Sequence, residues 1–488
     1  MLRAQTKQSQ ILNDSAQTHL AVLYLHSQMM SMMISNNEIV YKAFSYTRSD
    51  DTFLSDAQIN YALKVLWSLT AGKADWTSDV VIRFKAITTT KVDEILDAKT
   101  DKINHVKIVN LTPDGFIHNL DSDSMPSLCL SEDCDRIVYQ GLGFYPFDLV
   151  ALAFILLTRW EEWARPVMDQ FQRYKETASL AIKHGFHQRP ILDEWALLLR
   201  SWLRQYAPTW SPVLPHPSIS VSHDIDHLCY YKSWPRVFRG FSRGLVRQHS
   251  LISAYRNAYS GFISRLDHYK DPCVTAIDEL MQFNHSLGLN GTFFLMSANQ
   301  SKYDDGYDIA SSLLRNKIDL LINSGHKIAW HTGYYAAYDD ALYKQEFHRF
   351  NKVCGNKTFG ARHHFLRWRA AESWQRMEQF GITFDASLGY TKTCGFRCST
   401  AHAFPAYSLL DDKELNLEVR PLILMDGYLL NNPSDAQLIV ERMLTRCHQV
   451  SGCFSLLIHN YTIMTHPSFL NSIYCSLKYR VNHELKVN

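Results

Sequence analysis

Apolar and polar positions along the second half of the chain repeat one unit. The unit is an amphipathic stretch, a glycine, a short apolar run, and then polar residues. Asp271-Pro272 opens a helix with Val274, Ile277, Leu280 and Met281 on one face and Gly288 near its end. A strand over 291–297 follows. A second helix, 311–323, is closed by Gly325 and leads into a strand at 326–331. A third, 372–380, is closed by Gly381 and leads into 382–388. A fourth, 435–450, is closed by Gly452 and leads into 453–460. A short buried strand at 218–222 precedes them all. Strands alternating with helices predict a parallel sheet or barrel, whose chemistry gathers at the carboxyl ends of the strands.

The first half reads as mixed α/β. Residues 147–164 form an apolar run ending in a charged turn, which predicts one buried helix. Residues 189–205 predict another, with Pro190 near its start and Trp195, Leu198, Leu199, Trp202 and Leu203 on a helical period. Residues 206–217 then carry four prolines in twelve positions, which resist helix and central strand alike. The expected organisation is a smaller mixed α/β domain over 1–205, a Pro-rich linker over 206–217, and a second domain over 218–488.

Composition narrows the function classes. The 488 residues are 46% hydrophobic and 20% charged, as in an ordinary globular chain. Fifty Lys and Arg against 48 Asp and Glu give a net charge of +2, too little to predict a nucleic-acid partner. Ten scattered cysteines without a CxxC pair read as reduced core thiols and predict a cytoplasmic location. No apolar leader is visible at the N-terminus. The longest apolar run, Leu149–Leu157, is nine residues, so no membrane span is expected.

The candidate chemistry lies after the strands. His223-Asp224-Ile225-Asp226-His227 follows the first, with a loop from Ser222 expected to bring both carboxylates into one site. His331-Thr332-Gly333-Tyr334-Tyr335 follows another. Arg362-His363-His364, Asp385-Ala386-Ser387 and His459-Asn460 complete the set. Two carboxylates at one strand end can divide labour, one ligating a metal and the other acting as base. Carboxylate with imidazole suits zinc or a related divalent ion. A separate histidine can protonate a leaving amine, and an arginine can orient the base.

In order, HDID, GHKIAWH, ARHHFLRW, DASLGY and LLIHN resemble the motifs of the polysaccharide deacetylase family, also called carbohydrate esterase family four or the NodB-homology domain. The resemblance covers about residues 218–465. It implies a distorted (β/α) barrel, a divalent metal, zinc first, and removal of acetyl groups from N-acetylated sugars or glycan precursors. By the same resemblance Asp224 is the base, Asp226 and His331 are metal ligands, and Arg362 orients the base. Asp385 supports the general acid, and His459 is that acid. The family's second metal histidine falls at Tyr335, so the third ligand is open between Tyr335 itself and a histidine such as His227, His223 or His364.

Exposed aromatics at Tyr334, Phe365, Trp368 and Tyr390 are candidates to stack on sugar rings. The first half resembles, more loosely, a domain that precedes some cytoplasmic deacetylase-like proteins. Glu161, Glu162, Lys183 and His184 there are expected on a solvated face, with contact to the second domain as the alternative. Two rival readings remain at this stage. One is a glycan-binding or assembly module with a weakened site, favoured by Tyr335. The other is a haloacid-dehalogenase-type phosphatase with Asp224 as nucleophile, disfavoured by Leu228 where those enzymes carry Thr or Val.

Overall fold

A computed structural model describes residues 38–48, 51–78, 81–86, 148–246, 250–355 and 360–483, with short strands at 105–107, 124–126 and 144–145. Parts of both expected domains, residues 1–37 and 484–488 among them, lie outside the described residues.

In the first half, β1 (Glu38–Tyr41), β2 (Phe44–Thr47), β3 (Ile82–Lys85) and β6 (Phe144–Tyr145) form one sheet in that order. Only β1 and β2 pair antiparallel. β4 (His105–Lys107) and β5 (Ser124–Pro126) pair separately. Helix α1 (Asp56–Ala71) starts with a capping box, in which the Ser55 hydroxyl accepts the Gln58 N–H and the Gln58 side chain accepts the Ser55 N–H.

The single helix expected over 147–164 is two helices, α2 (Leu149–Thr158) and α3 (Trp160–Ala164). Arg159 between them is left-handed, with φ 55°. Its guanidinium is fully buried and bonded to Glu161 and, at 2.8 Å, to Glu162. A buried guanidinium requires fixed acceptors, and breaking the helix here turns both carboxylates toward it.

Those glutamates correct the solvated-face expectation, since both are buried. Glu162 also meets Arg397 of the second half at 2.7 Å. Lys183 and His184 of the short helix α4 (Leu180–Lys183) and its cap are half-buried. Helix α5 (Ile191–Tyr206) follows. The Pro-rich segment packs back on α1: Val213 N–H donates to Ala71 O at 2.9 Å, and Lys73 N–H to Val213 O at 3.0 Å. Gly72, at φ 61°, allows that approach, because a Cβ there would sit 1.9 Å from Val213 O.

The second half is one curled sheet. Its strands are β7 (Ser218–Ile225), β8 (Thr292–Met296), β9 (Lys327–Thr332), β10 (Gly360–His363), β11 (Phe384–Asp385), β12 (Phe404–Ser408), β13 (Lys413–Val419), β14 (Leu424–Met425) and β15 (Cys453–Leu457). The order is β12-β13-β11-β10-β9-β8-β7-β15-β14, and every pairing is parallel except β12 with β13. This is a partly open barrel, and backbone bonds of residues 420–423 bridge its gap. Leu422 N–H donates to Leu388 O at 2.9 Å and Ile423 N–H to Ser455 O at 3.3 Å. The antiparallel edge is covered by α1, whose Tyr61 hydroxyl donates to Pro405 O and whose Lys64 pairs with Glu414.

Connecting helices are α6 (Trp234–Val246), α7 (Leu251–Leu266), α8 (Pro272–Ser286), α9 (Ser312–Asn323), α10 (Asp340–Cys354), α11 (Ser373–Gln379), α12 (Asp426–Asn431), α13 (Ala436–Gln449), α14 (Asn460–Thr465) and α15 (Phe469–His483). The strands expected at 382–388 and 453–460 are shorter than their apolar runs, at two and five residues.

Strand register decides which side chains face inward, because positions two apart share a face. Asp224 is level with Phe294 on β8, and that residue with Ala329 on β9. His331 is level with Met296 and Arg362. A cavity of about 450 Å³ in the barrel is lined by Ser218, Ser220, Ser222, Phe294 and Arg362, among others. Even-numbered β7 residues therefore face the interior.

Candidate metal centre and flanking acid–base pairs

The strand expected at 218–222 continues to Ile225. No loop from Ser222 is needed, since residues 222, 224 and 226 share the inner face. Tyr307 fixes the end of β7 by donating its hydroxyl to Ile225 O at 2.8 Å. Asp224 and Asp226 thus reach one buried site from one strand.

Asp226 is surrounded by imidazoles. Its Oδ1 is 3.3 Å from His331 Nε2, and its Oδ2 is 3.8 Å from both His364 Nε2 and His459 Nε2. Each ring is tied at its other nitrogen. His331 Nδ1 lies 2.9 Å from Arg362 O, His364 Nδ1 2.8 Å from Asp304, and His459 Nδ1 2.8 Å from Asp426. Those partners are acceptors, so each Nδ1 carries a proton, and each ring presents its Nε2 toward Asp226.

Asp226, His331 and His364 can offer ligand atoms within 4.8 Å of one another, and all three are buried. Asp226 Oδ1 and His331 Nε2 are buried without a hydrogen bond. Two such groups facing each other are costly unless a metal ion or a proton on the ring lies between them. The donor set therefore fits a divalent metal. Burial opposes charge on Asp226, yet His364, His331 and His459 outweigh it and hold its carboxyl well below the usual carboxylate range.

Two pairs flank this cluster. On one side, Arg362 Nη1 donates to Asp224 Oδ1 at 2.6 Å, its Nε to Ala386 O at 2.9 Å, and its Nη2 to the Ser222 hydroxyl at 3.0 Å. The guanidinium also lies 4.1 Å over the Phe294 ring. On the other side, Asp426 accepts from the His459 ring and, at 2.8 Å, from its backbone N–H, and the Thr462 hydroxyl also donates to it. Burial opposes protonation of His459, but Asp426 outweighs it, with Asp226 and Asp224 adding, and raises the imidazole to about 10.

Asp385 is not the residue that supports His459. It pairs with Ala361 across β10, one position from inward Arg362, and so points out of the barrel. There it accepts Trp374 Nε1–H and Ser387 N–H, each at 2.8 Å. Among the open choices for a third ligand, His364 joins the cluster and Tyr335 does not. Tyr335 is about half exposed, beside the Tyr303 and Tyr334 rings. His227 meets Asp305 at 3.3 Å. His223 turns outward to Ile458 O and Asn284. His364 enters through a tight turn in which Phe365 and Leu366 are both left-handed, at φ 60° and 53°, a strained geometry for such side chains.

The aromatic expectation also needs correction. Tyr334, Trp368 and Tyr390 are buried. Tyr334 stacks on Tyr303 at 3.9 Å and lies under Arg367, and Trp368 packs on Trp374 at 4.8 Å. Only Phe365 of the four is partly exposed, beside Phe171 and Tyr303.

Three buried carboxylates support the cluster without any signal in the sequence pattern. Asp426 and Asp304 orient His459 and His364. Glu346 of α10 is buried and accepts Gly333 N–H at 2.7 Å, which shapes the turn after His331. Burial pushes the Glu346 carboxyl up to about 7, against the opposing Gly333 amide. The folded state therefore keeps a proton that the unfolded chain releases from pH 4.5 upward. Stability from this group is full below pH 4.5 and falls as pH rises to about 7. Glu346→Gln is expected to raise the thermal midpoint at pH 8, by the equivalent of about 2 kcal/mol, with a much smaller gain near pH 5. Calorimetry at both pH values checks this, and equal gains at both would contradict it.

Three comparisons bear on the chain. Residues 29–208 match a family model described as a family of unknown function, DUF7033. No curated protein matches the chain. A solved structure described as "putative polysaccharide deacetylase from Mycobacterium smegmatis" is similar at 14% identity and a TM-score of 0.36, covering 56% of this chain and 87% of that one. Among the described residues, no helix is long and apolar enough to cross a membrane.

Proposed function

We propose that the chain is a metal-dependent hydrolase that removes an acetyl group from an N-acetylated sugar or glycan precursor. The observation that carries this reading is the orphaned pair Asp226 Oδ1 and His331 Nε2 beside His364, flanked by an Asp–Arg pair and a His–Asp pair. Asp226, His331 and His364 would hold the ion, with zinc the first choice for such a donor set. Such an ion supplies Lewis acidity toward a carbonyl oxygen and acidifies bound water.

The remaining work falls to the chain. Arg362 keeps Asp224 aimed into the site, where it takes the proton of the attacking water. His459, kept protonated by Asp426, gives its proton to the departing sugar nitrogen. Leu366, Leu422 and Leu457 form a separate apolar cluster, with Leu366 and Leu457 each two residues from a site histidine. That cluster suits an acetyl methyl. Asp224 buried against Arg362 is ill-placed as a phosphatase nucleophile, which weighs against that alternative. A pure binding module has no use for two oriented acid–base pairs.

The test is acetate release from a panel of N-acetylated mono- and oligosaccharides and their nucleotide- and lipid-linked forms. Release is expected from the zinc-loaded protein and not after chelation. Binding of a panel sugar with no acetate release by metal-loaded protein would favour the module.

A further inference from the structure

Helices α6 and α7 form a hairpin between Asp226 and α8, and the site described above uses none of it. Its inner contacts set glycines against larger buried side chains. Gly261 lies against Val237 and Tyr231, where a Cβ would meet Val237 at 2.8 Å. The large apolar residues lie on the other face. Trp234, Phe238 and Phe241 recur at helical spacing on α6, as do Tyr255, Tyr259 and Phe262 on α7. All six are exposed, Phe238 and Tyr255 by about 70%. Trp234 and Phe262 lie 6.1 Å apart, so the two stripes join into one surface. Ten of the 22 exposed large hydrophobics among the described residues fall within 234–266. That concentration is not the scatter of ordinary surface residues.

The same stretch is basic. Residues 232–270 carry eight Lys and Arg against one Asp, in a chain whose net charge is only +2. Arg239 and Arg256 are among the exposed ones. A second copy of a face carrying Arg239 and Arg256 would bring like charges together across a symmetric interface. Exposed Leu251 and Ile252 offer nothing to a nucleic acid. Apolar stripes with aromatic residues and flanking arginines match an anionic lipid surface instead.

The hairpin is rooted at the rim of the site. The Asp271 carboxylate accepts Tyr230 N–H at 2.8 Å, Tyr231 N–H at 3.0 Å and the Ser264 hydroxyl. Lys232 reaches Asp305 at 2.6 Å, the carboxylate that also meets His227, next to Asp226.

We propose that the α6–α7 hairpin docks the protein on an anionic phospholipid bilayer, with its aromatic face in the headgroup region. Docking stands apart from the hydrolase reading. The corollary, that the acetylated glycan is carried on a membrane lipid, rests on that reading.

The experiment is flotation of the full chain with vesicles of phosphatidylcholine alone or with 30% phosphatidylglycerol. Phe238→Ser/Tyr255→Ser and Arg239→Glu/Arg256→Glu are compared with wild type, and light scattering records the oligomeric state. Both double variants change exposed positions, and circular dichroism checks their fold. Wild type is expected to float with the anionic vesicles, and each variant to lose at least tenfold in apparent affinity. Failure of wild type to float, equal binding to both vesicle types, or unchanged binding by Phe238→Ser/Tyr255→Ser overturns the proposal. So does a wild-type dimer that ignores vesicles and dissociates on that substitution, which would assign the face to a second copy. No arm reads acetate release, so failure here leaves the hydrolase reading standing.

Discussion

Asp224→Asn is expected to lower acetate release about 10³-fold while leaving the bound metal in place. Asparagine keeps an oxygen for Arg362 Nη1, now 2.6 Å from the carboxylate, but cannot take a proton from water. The variant also leaves the buried Arg362 charge without its counter-charge, which costs stability on the order of 3 kcal/mol. A thermal melt beside the kinetics separates the two effects, since a folded fraction at assay temperature is countable. Metal loss in the folded variant would contradict the division of labour between Asp224 and Asp226.

His364→Ala is expected to weaken zinc binding at least 100-fold, and Tyr335→Phe to leave it within about twofold. The expectation rests on placement. His364 Nε2 faces Asp226 with its other nitrogen fixed by Asp304, whereas Tyr335 is turned outward beside Tyr303 and Tyr334. Competition with a chromogenic chelator measures both. The reverse order, with Tyr335→Phe losing the ion and His364→Ala keeping it, would reject this ligand set.

The clusters after the strands were legible because parallel strands buried on both faces read as apolar runs, and the first polar residues beyond them mark the strand ends. Asp226, His331 and His459 stand out in that way. Asp426 was missed because β14 is two residues long, too short to announce itself. Asp304 lies in the loop after β8, where no periodicity points to it. The role given to Asp385 failed for another reason. Its direction depends on register with Ala361, which no single strand sequence encodes.

Tyr334 and Trp368 were misjudged because an aromatic after a strand can equally wrap an arginine or pack on a tryptophan. The hairpin's charge does not stand out in the sequence because its arginines are spaced along helices rather than gathered in a run. The break at Arg159 was hidden inside an apolar run that reads as one continuous helix.

The central claim is that Asp226, His331 and His364 form a metal site. Elemental mass spectrometry of the tag-free wild type beside His331→Ala tests it most directly. The account predicts close to one divalent ion per wild-type chain and its loss in the variant. Absence of metal from both, after incubation with zinc, cobalt or nickel, would contradict it and return the barrel to the status of a binding module.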